Sequence, residues 1–216
     1  MKEEIRAVIT CDLVNSTKYS AEERISINKR IEEFVDKWHQ ENITEYLIYR
    51  GDSLQGMLRN PSQALRQAIS LKSYVKSIRL NNSKRSTNAD IRISIGIGTI
   101  DYTGKSLLDS DGEAFHNSGR TLDLLKQRGK TIALTTSDQT LNEKWNIILT
   151  LLDEVIAQWT ITSAEIVWGL IDGWDDKKIQ KKLKISQSAV SQRKKTASWD
   201  AIEKTINYYE NNFRTN

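Results

Sequence analysis

Apolar and polar positions recur along the first two thirds of the chain at two different periods. Residues 5–11 form a short strand-like apolar run, interrupted once by Arg6, and a polar turn over 12–18 follows it. From 20 to 40 the spacing becomes helical, with Ile27, Ile31, Phe34, Val35 and Trp38 on one stripe. Residues 46–49 and 53–58 read as two short strands joined through Arg50-Gly51-Asp52, a tight hairpin in which Gly51 supplies a positive φ. Pro61, the only proline, fits the first turn of a helix capped by Asn60 and carrying Ala64, Leu65, Ala68, Leu71 and Val75. After a polar loop over 81–88, residues 91–97 alternate at period two. Residues 112–128 then read as a helix and 131–134 as a strand. The predicted order is β-α-β-β-α-β-α-β, one sheet with helices packed on it in an α/β or α+β layer architecture, of which the α+β, ferredoxin-like form is the one expected.

Past residue 137 no strand pattern remains, and five of the six tryptophans stand at 145, 159, 168, 174 and 199. This part reads as all-helical, its tryptophans as core. The expected division is a sheet domain over 1–136, a connecting helix over 137–158 and a small helical domain over 159–216. With 216 residues, 38% of them hydrophobic, there is material for a sizeable core. A mean hydropathy of -0.55 and no apolar run near 18 residues exclude a membrane-spanning helix. The acidic start, Glu3-Glu4, and the short apolar run after it do not fit a signal peptide. The single cysteine, Cys11, leaves no internal disulfide and no thiolate cluster for zinc. The expectation is a cytoplasmic protein.

Charge is informative once it is localised. Between Trp174 and Lys195 there are eight basic residues against Asp175 and Asp176, so this stretch carries +6 in a chain of net charge +4, and the remainder is -2. A basic patch on a weakly acidic body is a common footprint of nucleic-acid contact, and a solvated lysine-rich helix face is the plainer alternative. Within the stretch, Ile179 and Leu183 share one helical stripe, Ile185 falls in a turn, Ser186 can cap a second helix, and Val190 begins another stripe. The arrangement resembles the helix-turn-helix of many bacterial regulators, although Lys184 stands where the turn usually has glycine. That resemblance implies DNA as partner. Gln187, Ser188, Ser191 and Gln192 would be offered to base edges, Arg193, Lys194 and Lys195 would lie near phosphates, and Lys184 and Ser186 in the turn are counted with the DNA-binding residues.

A second constellation lies at the N-terminus. Asp12 follows the first strand and Asp52 sits at the hairpin tip, so pairing of these strands brings two carboxylates to one edge. Two hard oxygen ligands, completed by water and substrate phosphates, suit Mg²⁺ or Mn²⁺. The turn through Leu13, Val14, Asn15, Ser16 and Thr17 offers free N–H groups for a phosphate. Asp12 as a plain helix cap, Arg120 as a surface ion-pair partner and His116 as a structural histidine are the simpler readings of the same residues.

Asp12-Leu13-Val14-Asn15-Ser16-Thr17 resembles the Asp-Ile-Val-Gly-Ser-Thr signature of class III nucleotide cyclases, and Arg50-Gly51-Asp52 resembles their second metal motif. Ile91-Arg92-Ile93-Ser94-Ile95-Gly96 is similar to the strand that follows it. Gly112-Glu113-Ala114-Phe115-His116-Asn117-Ser118-Gly119-Arg120 is similar to their Gly-x-x-Val-Asn-x-Ala-x-Arg segment. The resemblance implies a nucleoside triphosphate or other nucleotide as ligand and metals held by Asp12 and Asp52. It also implies Arg120 at the transition state and ribose orientation by Asn117 or His116. The chain departs from the pattern at three places: His116 stands at the family's asparagine, Asn15 at its turn glycine, and Ile48 at its base-selecting lysine.

Asp-Leu-Val-x-Ser near the start, Gly-Asp-x-x-Gln-Gly-x-Leu in the hairpin and Ile-Ser-Gln-Ser-Ala-Val-Ser-Gln-Arg near the end together resemble the SatD family of bacterial proteins. That resemblance implies the two-part layout and a bacterial cytosol, and brings no reaction with it. Cyclase-type sites form between two subunits, and a palindrome is read by two copies, so both halves point to a homodimer. The leading expectation is a DNA-binding transcriptional regulator whose degenerate cyclase-like domain binds nucleotide and Mg²⁺. The alternative is an active metal-dependent nucleotidyl cyclase or nucleotide hydrolase.

Overall fold

The computed structural model describes residues 4–41, 43–49, 53–80 and 89–214, with the side chains of 38–41, 43, 44, 49 and 108 outside that description. Its centre is a mixed five-stranded sheet of order β2-β3-β1-β4-β5, built from β1 (Ile5–Leu13), β2 (Ile43–Tyr49), β3 (Ser53–Leu58), β4 (Ile91–Thr99) and β5 (Ile132–Thr135). All neighbours are antiparallel except β4 and β5, whose parallel pairing requires a crossover, supplied by α3 (Glu113–Arg128). The period-two pattern of β1 sorts its residues. Ala7, Ile9, Cys11 and Leu13 enter the main core under α1 (Ala21–Glu41) and α2 (Ala64–Lys76), while Val8 packs with Met57, Leu107, Ala114 and Phe115 on the α3 side.

That second face is small and polar where α3 crosses it. A side chain at Gly96 would place its Cβ 2.2 Å from the Ala114 carbonyl oxygen and 2.4 Å from the Ser118 nitrogen, so only glycine lets strand and helix approach so closely. Beside it the Thr10 hydroxyl donates to Ser118 Oγ at 2.9 Å, and the Ser94 hydroxyl donates to the Ser118 carbonyl at 2.6 Å.

The helices that follow are α4 (Gln139–Ala157), α5 (Ile161–Ile171), α6 (Asp176–Leu183), α7 (Gln187–Thr196) and α8 (Trp199–Asn212). α4 lies along the outer edge of β5 and satisfies its backbone. Asn146 accepts from the Leu134 N–H and donates to its carbonyl, Asn142 does the same for Thr136, and Asp153 accepts from the Thr131 N–H. One continuous apolar cluster runs from Ile9, Ile93 and Leu134 in the sheet through Trp145 and Trp159 to Val167, Ile202, Ile206 and Tyr209. Polar ties reinforce it: Arg66 pairs with Glu210, and the Tyr209 hydroxyl donates to the Pro61 carbonyl at 3.2 Å. A smaller cluster of Ile166, Trp174, Ile179 and Val190 holds α5, α6 and α7 together. Among the described residues no helix is long and apolar enough to cross a membrane.

The predicted element order is the observed one. The boundaries shift by one or two residues in most places, while β2 starts three residues before the predicted strand. A register shift between Ile43 and Glu45 breaks the alternation there.

Candidate functional site

Asp12 lies near the end of β1, opposite Arg92 on β4 and Ser53 on β3. Its side chain caps no helix. Arg92 Nε is 2.9 Å from one carboxylate oxygen and Lys126 Nζ, from α3, is 3.0 Å from the other. Asp12 is 7% exposed, so Arg92, itself mostly buried, acts on it across little water, while Lys126 reaches it from the surface. Asp52 and the hairpin tip lie outside the described residues, and Gly51 with them.

The turn after Asp12 has the shape that the glycine signature calls for. Asn15 adopts the left-handed conformation, φ 54° and ψ 40°, which asparagine tolerates better than most residues. Its use for phosphate is narrower than predicted, because the Val14 N–H donates to the Asp90 carbonyl at 2.8 Å. Asp90 is itself anchored: the fully buried Lys72 places Nζ 2.8 Å from one carboxylate oxygen and 2.7 Å from the Ile91 carbonyl, and Lys76 reaches the other oxygen at 3.2 Å. Burial pushes the Asp90 carboxyl upward, but Lys72 and Lys76 outweigh it and hold the group below the ordinary carboxylate range. Cys11 is inert: burial first, then the charge of Asp12, raises its thiol far above the usual value.

Of the expected pair of metal ligands the described residues contain Asp12 alone, with Arg92 and Lys126 at its two oxygens. No group of three or more His, Cys, Asp or Glu able to hold a metal occurs among the described residues. Among the described residues the cavity between Asp12, Asn28, Ile48 and Ser53 has a volume of about 10 Å³, room for a single water.

The α3 candidates are brought to one helix but not to Asp12. His116 Nε2 lies 3.0 Å from Asp111 at the exposed start of α3, and the Asn117 amide donates to the Ile97 carbonyl at 3.1 Å. Both are engaged within the fold. Arg120 is exposed. From the same helix it is Lys126, two turns further on, that reaches Asp12.

The basic segment is ordered by its caps. Asp175 accepts from the Lys178 N–H at the start of α6, and Ser186 accepts from the Ala189 N–H at the start of α7. Between them Lys184 takes the left-handed conformation, φ 54° and ψ 48°, in the slot where glycine was expected. Lys184, Ser186, Gln187, Ser188, Ser191, Gln192 and Lys195 are exposed, and Ser188, Ser191, Gln192 and Lys195 form one outward stripe of α7. Three candidates have partners within the fold. Gln187 donates to Asp176 at 2.9 Å, Lys194 pairs with Asp176, and Arg193 lies 3.7 Å from Glu165 on α5. The hydrogen bond from Lys194, then that from Gln187, lowers the Asp176 carboxyl below its ordinary value.

The SatD family model matches residues 6–208, from the first strand to the last helix. The chain belongs to the SatD family. No curated protein matches it. Solved structures similar to this SatD-family chain include a bacterial light-regulated adenylyl cyclase (17% identity, 62% of this chain and 77% of that one, TM-score 0.44). Another is the monomeric guanylyl cyclase domain of the RhoGC fusion protein from the aquatic fungus Blastocladiella emersonii (16% identity, 56% and 75%, TM-score 0.41). A third is the active GGEEF domain of a diguanylate cyclase from Vibrio cholerae (12% identity, 63% and 85%, TM-score 0.43).

Sequence reasoning picked out Asp12 in this SatD-family protein and missed the two residues that define its surroundings. Arg92 was available in principle, since period two puts it on one face of β4 with Ser94, but its contact depends on the β1–β4 register. Lys126 had no local signal at all. Glu165, which holds Arg193 and also faces Arg79, three residues past α2, at 3.5 Å, was equally silent.

Proposed function

We propose that this SatD-family protein is a DNA-binding transcriptional regulator of the bacterial cytoplasm that reads DNA with α7, and that its sheet domain is a sensor for a nucleotide and not a catalyst. The observation that carries the reading is the outward stripe of Ser188, Ser191, Gln192 and Lys195, exposed beside Lys184 and Ser186 on a closed three-helix unit. Short polar side chains on the first turns of a helix, flanked by exposed lysines, are what a major groove and its phosphates accept. The doubly paired Asp12 supports a sensor over an enzyme, because metal-dependent turnover would first have to displace Arg92 or Lys126.

The test is a binding selection from a genomic fragment library followed by salt titration on the selected site. Affinity falls steeply with salt, and Lys195→Ala reduces the logarithmic salt slope by about 0.9 while weakening all sequences alike. Gln192→Ala instead costs about 1–3 kcal/mol of discrimination at one base pair. No selected site, or binding indifferent to salt, ends the proposal. A second reading, turnover of nucleoside triphosphates, rests on the left-handed Asn15 within the cyclase-like signature. Incubation with Mn²⁺ and each of the four triphosphates, with Asp12→Asn as control, decides it by the presence or absence of a new product.

A further inference from the structure

α4 has more faces than a helix packed on one sheet edge needs. Trp145, Leu149, Leu152 and Ile156 are buried in the core, and Asn142, Asn146 and Asp153 are engaged by β5. A further stripe points into solvent: Thr140, Lys144, Ile147, Leu151, Glu154 and, at the C-cap, Gln158, all exposed. Their spacing alternates four and three, which is the seam of a heptad. At its centre Ile147 and Leu151 are each 66% exposed, the kind of pair a heptad seam covers with another helix.

The order along this stripe is polar, Lys, Ile, Leu, Glu, polar, and it is complementary to itself reversed. We propose that α4 pairs with α4 of a second copy, antiparallel, about a two-fold axis beside residue 149. Ile147 of each copy then meets Leu151 of the other, Lys144 meets Glu154, and Thr140 meets Gln158. A parallel pairing would oppose Lys144 to Lys144 and Glu154 to Glu154, so charge selects the antiparallel one. The contact is isologous and closes at two copies. Lys144 rests 4.9 Å from the Tyr208 ring and Glu154 pairs with Lys130 at 2.9 Å, so each keeps its present neighbour at the rim of the seam. Pairing through the sheet is closed on this side, since α4 side chains already occupy the β5 edge.

The experiment is sedimentation equilibrium of the full chain over a dilution series. The expected result is twice the monomer mass, dissociating reversibly on dilution. Leu151→Glu gives the monomer mass with unchanged circular dichroism and a melting temperature that no longer rises with protein concentration. Lys144→Glu and Glu154→Lys each weaken the dimer about ten-fold or more, and the double variant K144E/E154K restores it. A wild-type monomer at every concentration, a dimer that survives Leu151→Glu, or a double variant that stays as weak as the single ones would each overturn the proposal.

Discussion

Lys72 is the residue on which the geometry of the Asp12 turn rests. Its ammonium is wholly buried, held by Asp90 and the Ile91 carbonyl, and Asp90 in turn accepts the Val14 N–H that sets the turn. Removing one partner of a buried pair leaves the other uncompensated, so Lys72→Met lowers unfolding stability by about 3–5 kcal/mol at neutral pH. Because the folded Asp90 carboxyl is held below its unfolded value, this contribution is complete above the unfolded carboxylate range and disappears as pH falls through the folded pKa. Urea titrations at successive acid pH values therefore show the wild type losing stability below about pH 4 and the variant losing less. A variant that unfolds with the same acid slope as the wild type contradicts this assignment. Asp12 was legible in the sequence because a short motif carried it. Lys72 carried no such motif, since nothing local tells a buried, paired lysine from an exposed one.

At the scale of elements, period did most of the predictive work. The stripes of α1 and α2 and the alternation of β4 were visible, although α2 proves buried on nearly every side and β4 on both faces. β2 was read short because an extra residue between Ile43 and Glu45 shifts its register. The covering of the β5 edge was invisible for a different reason: Asn142 and Asn146 sit on α4 among other polar residues, and only the packing shows that they replace a missing strand. An edge left open is a template for other chains. Asn142→Ala with Asn146→Ala strips the Leu134 and Thr136 backbone groups of their partners. The expected cost is about 2–4 kcal/mol, with light scattering rising at partial denaturation where the parent stays clear. Equal denaturation midpoints for variant and parent would show that water serves the edge as well as α4 does.

On the scale of the whole molecule the change of character near residue 137 was legible, while the sharing of one apolar cluster between sheet and helices was not. Periodicity reports that a face is buried, not which neighbour buries it. The same limit applies to charge. The +6 segment was counted correctly and already nets Asp176, which pairs with Lys194; Glu165 lies outside it and faces Arg193, so one further charge is balanced within the fold. Glu165 also faces Arg79, three residues past α2, so one carboxylate of α5 ties this segment to α7. If α7 reads DNA, Glu165→Gln releases Arg193 to the phosphates while leaving the apolar contacts of α5 in place. One additional phosphate contact steepens the logarithmic salt dependence by about 0.9, so the variant binds tighter than the parent at low salt and converges on it at high salt. Arg193→Ala combined with Glu165→Gln removes the gain, which separates release of that arginine from a general loss of negative charge. Fluorescence anisotropy on one selected site gives all three slopes. An unchanged slope in Glu165→Gln means that Arg193 stays on the protein when DNA is bound and that the exposed lysines carry the contact alone.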